Sequence, residues 1–88
     1  MVSANVKVIN PQGMHMRPAQ VFVGEMGKFK CDVSIIFNGK TINAKSIMNL
    51  MAACIKVDSE IEIQCSGEQE NEALAKAIEL VEAGLGDL

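Results

Sequence analysis

Residues 33–44 read Val-Ser-Ile-Ile-Phe-Asn-Gly-Lys-Thr-Ile-Asn-Ala. Val33, Ile35 and Phe37 occupy every second position, which is how one face of a β-strand is written. Asn38-Gly39 then supplies the dipeptide favoured in a type I′ turn, and Thr41-Ile42-Asn43-Ala44 returns. This is the strongest hairpin signal in the chain. A turn this tight joins antiparallel strands, so the sheet is expected to be antiparallel at least here.

Working outward, Val2, Ala4, Val6 and Val8 alternate with Ser3, Asn5 and Lys7, and Asn10-Pro11-Gln12-Gly13 breaks the pattern. From Met16 to about Lys28 the period changes. Ala19, Phe22, Val23 and Met26 fall on one face of an amphipathic helix, and Gly27 can end it. Ser46 to Ala53 is a short apolar helix with Ser46 as its N-cap. Ile61, Ile63 and Cys65 alternate with Glu60, Glu62 and Gln64 as a fourth strand. After Gly67, residues Leu74, Ala77, Ile78, Val81 and Leu85 trace a last helix, with glutamates in its first turn and Gly84 near its end. The expected architecture is α+β, in the order β-α-β-β-α-β-α. A four-stranded antiparallel sheet is wet on one face and covered by three helices on the other.

The totals agree with one domain over residues 1–88 and a modest core. A net charge of −3 and the lack of tryptophan and tyrosine argue against nucleic acid, which calls for a basic face and stacking rings. No apolar run approaches a membrane span, and the first residues lack a signal-peptide profile. A cytoplasmic protein without membrane insertion is the expectation, as is a monomer. Cys31, Cys54 and Cys65 are odd in number and widely spaced, so they read as small reduced core residues. No metal and no cofactor are expected.

The lone histidine, His15, stands in Gly13-Met-His-Met-Arg-Pro-Ala19 at the start of the first helix. Pro18 is tolerated in a first turn, where amides lack intrahelical partners. The amides of Met16 and Arg17 then face outward at the positive end of the helix dipole, and the Arg17 guanidinium suits phosphate oxygens. An imidazole that titrates near neutrality can attack phosphorus. With one histidine there is no Ser/His/Asp set or metal cluster, so the arrangement describes a phosphohistidine carrier rather than a hydrolase. The second helix points the same way. Leu50 and Ala53 can face the core while Ile47, Met48 and Met51 lie outside, and an exposed methionine-rich patch suits transient docking.

The stretch 13–19 resembles the Gly-x-His-x-Arg-Pro-Ala signature of the histidine-containing phosphocarrier family, HPr, of the bacterial phosphoenolpyruvate–sugar phosphotransferase system. Asn43-Ala-Lys-Ser-Ile-Met48 resembles that family's second, regulatory signature, and the spacing and element order agree over essentially the whole chain. The resemblance implies an open-faced β-sandwich with sheet order 1-4-2-3. It implies that His15 accepts a phosphoryl group at Nδ1 from enzyme I and passes it to IIA domains of sugar permeases. Arg17 and the Met16 amide would steady the phosphate, and Gln20, Ile47, Met48 and Met51 would form the docking surface. In one branch of the family the serine matching Ser46 is phosphorylated by a kinase/phosphorylase, and that form binds a catabolite-control transcription regulator.

Several positions depart from the family pattern. Met16 replaces a small residue, Gly24 and Gly27 weaken the first helix, and Asn49 and Cys54 replace glycines. Cys54 stands where the second helix ends, so a left-handed backbone there would be strained. Ser59 also stands where a turn glycine is usual. Three alternatives stay open: a regulatory adaptor acting through Ser46, a carrier of a nitrogen-related branch, and an α/β domain with an incidental histidine.

Overall fold

The computed structural model describes residues 1–86; positions 87 and 88 lie outside the described residues. Seven elements follow in the expected order. They are β1 (Val2–Lys7), α1 (Met16–Met26), β2 (Cys31–Phe37), β3 (Lys40–Asn43), α2 (Ile47–Ala52), β4 (Glu60–Gly67) and α3 (Glu70–Glu82). The strands form one antiparallel sheet in the order β1-β4-β2-β3.

The Asn38-Gly39 turn has positive φ at both residues, 51° and 77°, as type I′ requires. It sets Ile35 opposite Ile42 and Phe37 opposite Lys40. Across the sheet the register aligns Val6 with Ile61, Ala4 and Ile35 with Ile63, and Val33 with Cys65. Side chains alternate between faces, so these residues share one side of the sheet. That side is closed by Phe22 and Met26 of α1, Leu50 of α2, and Ala73, Ala77 and Val81 of α3, all buried. The other side carries Asn5, Lys7, Ser34, Thr41, Glu62 and Gln64, which keeps it wet.

Four expectations need correction. Helix α1 stops at Met26, and Gly27 caps it in a right-handed conformation (φ −62°), so this glycine ends the helix without using its conformational freedom. Leu85 is not a residue of α3. The helix ends at Glu82, and Gly84 turns the chain at φ 82°. Leu85 then donates its amide to Leu80 (2.9 Å) and Gly84 to Val81 (3.1 Å), the paired bonds of a Schellman motif. That motif returns Leu85 to the apolar stripe of the helix, where it is buried. The third correction concerns the cysteines: only Cys65 is buried, whereas Cys31 is half-buried and Cys54 exposed. Finally, the left-handed residue before β4 is Asp58 (φ 67°), not Ser59.

Cys54 does take the strained conformation, at φ 56°. It closes α2 as Gly84 closes α3, with its amide donated to Met51 at 3.3 Å. One helix uses the residue suited to that geometry and the other does not.

Candidate functional site

The turn ahead of α1 is fixed from three directions. Gly13 donates its amide to the Asn10 carbonyl at 2.9 Å, and the fully buried Asn10 side chain donates to the Gly13 carbonyl. Met14, also buried, donates its amide to Ile55 at 2.8 Å, which fastens the turn to the segment after α2. Gly13 has φ 69°, and a Cβ there would stand 2.8 Å from the Lys56 Cα. Both the conformation and the close approach demand glycine.

His15 follows as the N-cap of α1, with extended backbone (φ −84°, ψ −168°) and no capping bond from its side chain. Its amide donates to Gly13 at 3.0 Å, and its carbonyl accepts the Ala19 amide at 3.0 Å. The helix begins at Met16 in spite of Pro18, which sits buried in the first turn where its missing N–H costs nothing. Of the residues ahead of Ala19, Met16 and Arg17 therefore bring N–H groups without intrahelical acceptors to the end of α1. No acidic residue lies in this first turn, so the positive end of the dipole is not neutralised from within the helix. Met16, Arg17 and Gln20 are exposed, and His15 is half-exposed.

A shallow cleft of about 270 Å³ lies beside the imidazole, lined by Gln12, Met14, His15, Met51, Cys54, Ile55 and Lys56. It joins the histidine to the C-terminal end of α2. Of the expected docking residues, Met51 is in this cleft and Met48, 81% exposed, projects beyond it. Ile47 departs from the expectation, being half-buried and packed against the core. A six-residue helix rotated so that Leu50 is fully enclosed also carries Ile47, one turn earlier, inward. The sequence reasoning missed Gln12, Cys54, Ile55 and Lys56 as cleft residues. Their one sequence signal was that a helix was ending there; what they would face depends on the Met14–Ile55 bond.

Ser46 caps α2 as expected, its Oγ accepting the Asn49 amide at 3.3 Å. It occupies the opposite end of α2 from Met51 and Cys54, roughly 9 Å along a helix of this length. Ser46 does not line the histidine's cleft. A larger groove of about 380 Å³ runs between the β2–β3 hairpin and α2, lined by Phe37, Lys40, Ile42, Asn49 and Ala53 among others, and it includes none of the expected site residues.

Comparison with known proteins gives one answer. Residues 2–83 match the family model PTS-HPr, described as the PTS HPr component phosphorylation site. The chain is 40% identical over 74 residues to the phosphocarrier protein HPr of Buchnera aphidicola subsp. Acyrthosiphon pisum, covering 84% of this chain and 87% of that one. It is 42% identical over 76 residues to the HPr-like protein Crh of Bacillus subtilis, covering 86% and 89%. The crystal structure of HPr-C-His from Thermoanaerobacter tengcongensis superposes with a TM-score of 0.95 at 30% identity, over 100% of this chain and 99% of that one. With the same sheet order, the same helix count and a match over nearly its full length, this chain belongs to the HPr family of phosphocarrier proteins of the phosphotransferase system.

Proposed function

We propose that this chain carries a phosphoryl group on His15 Nδ1, taken from enzyme I and handed to the IIA domains of sugar permeases. The observation that carries the reading is the position of His15: half-exposed, capping α1, immediately before the amides of Met16 and Arg17. The imidazole lone pair attacks phosphorus while the bond to the donor breaks, so a new N–P bond replaces the bond between phosphorus and the donor. The phosphoryl oxygens then carry their charge against two helix-terminal amides and the Arg17 guanidinium, with Lys56 on the cleft wall. The cleft is open to solvent, and a carrier needs that, because the next acceptor must reach the same phosphorus. Met48 and Met51, with Gln20 and the outer edge of Ile47, form the surface on which both partners dock in turn. The protein is consumed and regenerated stoichiometrically and has no turnover of its own.

The test is intact mass and phosphorus NMR after incubation with phosphoenolpyruvate and catalytic enzyme I, with His15→Ala as control. An acid-labile gain of one phosphate that disappears in the control supports the carrier. No gain, with the same enzyme I active on another carrier, overturns it.

A second reading is a regulatory role for Ser46, favoured by the 42% identity to the HPr-like protein Crh. A phosphate on Ser46 would add nearly two negative charges at the N-terminus of α2, next to Met48. The helix would tolerate it, and docking of an acidic or apolar partner surface would suffer. Incubation with ATP and a Ser46 kinase of the family, followed by site mapping, tests this reading separately.

A further inference from the structure

Strand β3 is an outer strand of the sheet: among the described residues it has β2 on one side and no strand on the other. Its register with β2 decides where its backbone groups point. Across a two-residue turn Phe37 and Lys40 form a hydrogen-bonded pair, and such pairs recur at every second residue. Lys40 and Ile42 therefore bond inward to β2, and the Ala44 amide continues the row to Val33 at 2.9 Å. Thr41 and Asn43 turn their N–H and C=O groups away from the sheet. The Asn43 carbonyl is taken by the Ser46 amide at 3.2 Å. Among the described residues nothing bonds the Thr41 amide, the Thr41 carbonyl or the Asn43 amide.

The groove of about 380 Å³ runs along this edge. It touches all of Lys40–Asn43, residues of both sheet faces, which a cavity confined to one face would not do. Its opposite wall is α2, through Asn49, Ala52 and Ala53, while Phe37 and Ile42 supply apolar lining. Lys40 is the one charged residue of the lining; it is exposed and has no ion pair among the described residues. An open strand edge facing a helix across a groove is the form in which a sheet takes up a further strand.

We propose that this groove binds an extended peptide segment of another protein, which adds to β3 as a fifth, antiparallel strand and ends in acidic residues beside Lys40. Antiparallel pairing is the more stable per residue, and it fixes the direction. Since β3 runs from Lys40 to Asn43, the added strand runs from Asn43 to Lys40 and brings its C-terminal end to the ammonium. The peptide residue opposite Thr41 exchanges two hydrogen bonds with it, and the residue opposite Asn43 accepts from the Asn43 amide. Alternate peptide side chains enter the groove against Phe37, Ile42 and Ala53, which suits small apolar groups. A second copy of this chain does not meet the charge requirement. Of its outer strands, β1 would bring Lys7 to Lys40, and β3 contains no acid.

The test follows amide hydrogen exchange and chemical shifts of the full, isotope-labelled chain by NMR. The probe is the tightest-binding member of a library of acetylated hexapeptides that end in two aspartates with a free carboxylate. In the free protein the amides of Thr41 and Asn43 are expected to exchange faster than that of Ile42. With the hexapeptide bound they become protected, and shift changes spread to Asn49 and Ala52. Thr41→Pro removes the outward amide and no bond to β2, a change an edge strand accepts, and should weaken binding about tenfold. Lys40→Glu, a change at an exposed side chain, should weaken the aspartate-ended peptide and favour a lysine-ended one. The proposal is overturned if the two amides are already protected in the free protein, if no hexapeptide protects them, or if Lys40→Glu binds the aspartate-ended peptide unchanged. Shifts at Thr41 on concentrating the protein alone would assign the edge to a second copy and overturn it equally. None of these readouts uses phosphoryl transfer, so the outcome is independent of the role of His15.

Discussion

Replacing Cys54 with glycine should stabilise the protein. The backbone at Cys54 is left-handed, φ 56°, and a Cβ in that region costs roughly 1–2 kcal/mol. The side chain is exposed, so little packing is lost, and the bond from its amide to Met51 survives the change. Against this, glycine widens the unfolded ensemble, an opposing term of roughly 0.4–1 kcal/mol. The net gain is about 1 kcal/mol, which in a domain of this size raises Tm by roughly 4–8 °C. The assay is urea unfolding under reducing conditions at constant m-value, with Cys54→Ala as the control. Alanine keeps the Cβ and should recover none of the gain. If Cys54→Ala and Cys54→Gly shift the midpoint equally, the strain argument is wrong, and the thiol itself is the cause.

Three further outcomes follow from other parts of the fold. Gly24→Ala lies in the interior of α1 with nothing within 4 Å of the new methyl, so it should stabilise by up to ~1 kcal/mol in the same unfolding assay. Ser46→Ala removes the acceptor for the Asn49 amide and should cost about 1 kcal/mol, whereas Ser46→Asp keeps an acceptor and should cost less; thermal melts of the two variants separate these effects. Glu70 accepts the Gly67 amide at 3.1 Å and pairs with the Met1 ammonium at 3.2 Å, and these hold its carboxyl below the ordinary value of 4.5. A depressed folded pKa gives stability that is complete above the unfolded pKa and lost as pH falls through the folded one. Wild type should therefore exceed Glu70→Gln in urea midpoint at neutral pH, and the two should converge in acid below 4.5; an unchanged gap there refutes the assignment.

How far the sequence disclosed this structure depends on whether a feature is local. Asn38-Gly39 announced its turn because both residues carry the needed φ in their own chemistry. The strain at Cys54 was legible because helices commonly close on a left-handed residue, as α2 and α3 do and α1 does not. Leu85 was assigned to α3 because a Schellman motif returns the next apolar residue to the helix stripe, which imitates another turn. The inward turn of Ile47 was hidden. It depends on how α2 rolls against its neighbours, and a helix apolar nearly all round does not encode that rotation. At the site, His15, Met16 and Arg17 could be placed together because they are consecutive. Lys56 could not, since it reaches the cleft through one backbone bond between Met14 and Ile55.

The pairing of β1 with β4 joins Val2 to Cys65 and Lys7 to Glu60, so the first strand has no strand partner until a segment more than fifty residues later has been made. Contacts this distant in sequence close late in folding, since the loop entropy must be met before they are made. The turn that holds His15 hangs between that strand and α1, and its anchor at Ile55 lies just ahead of β4. A chain still emerging from the ribosome has its histidine made early but cannot present it until β4 is released. On the carrier role proposed above, competence to be phosphorylated would be a late event in biogenesis, and a partner enzyme reading the finished turn would discriminate complete molecules from nascent or truncated ones.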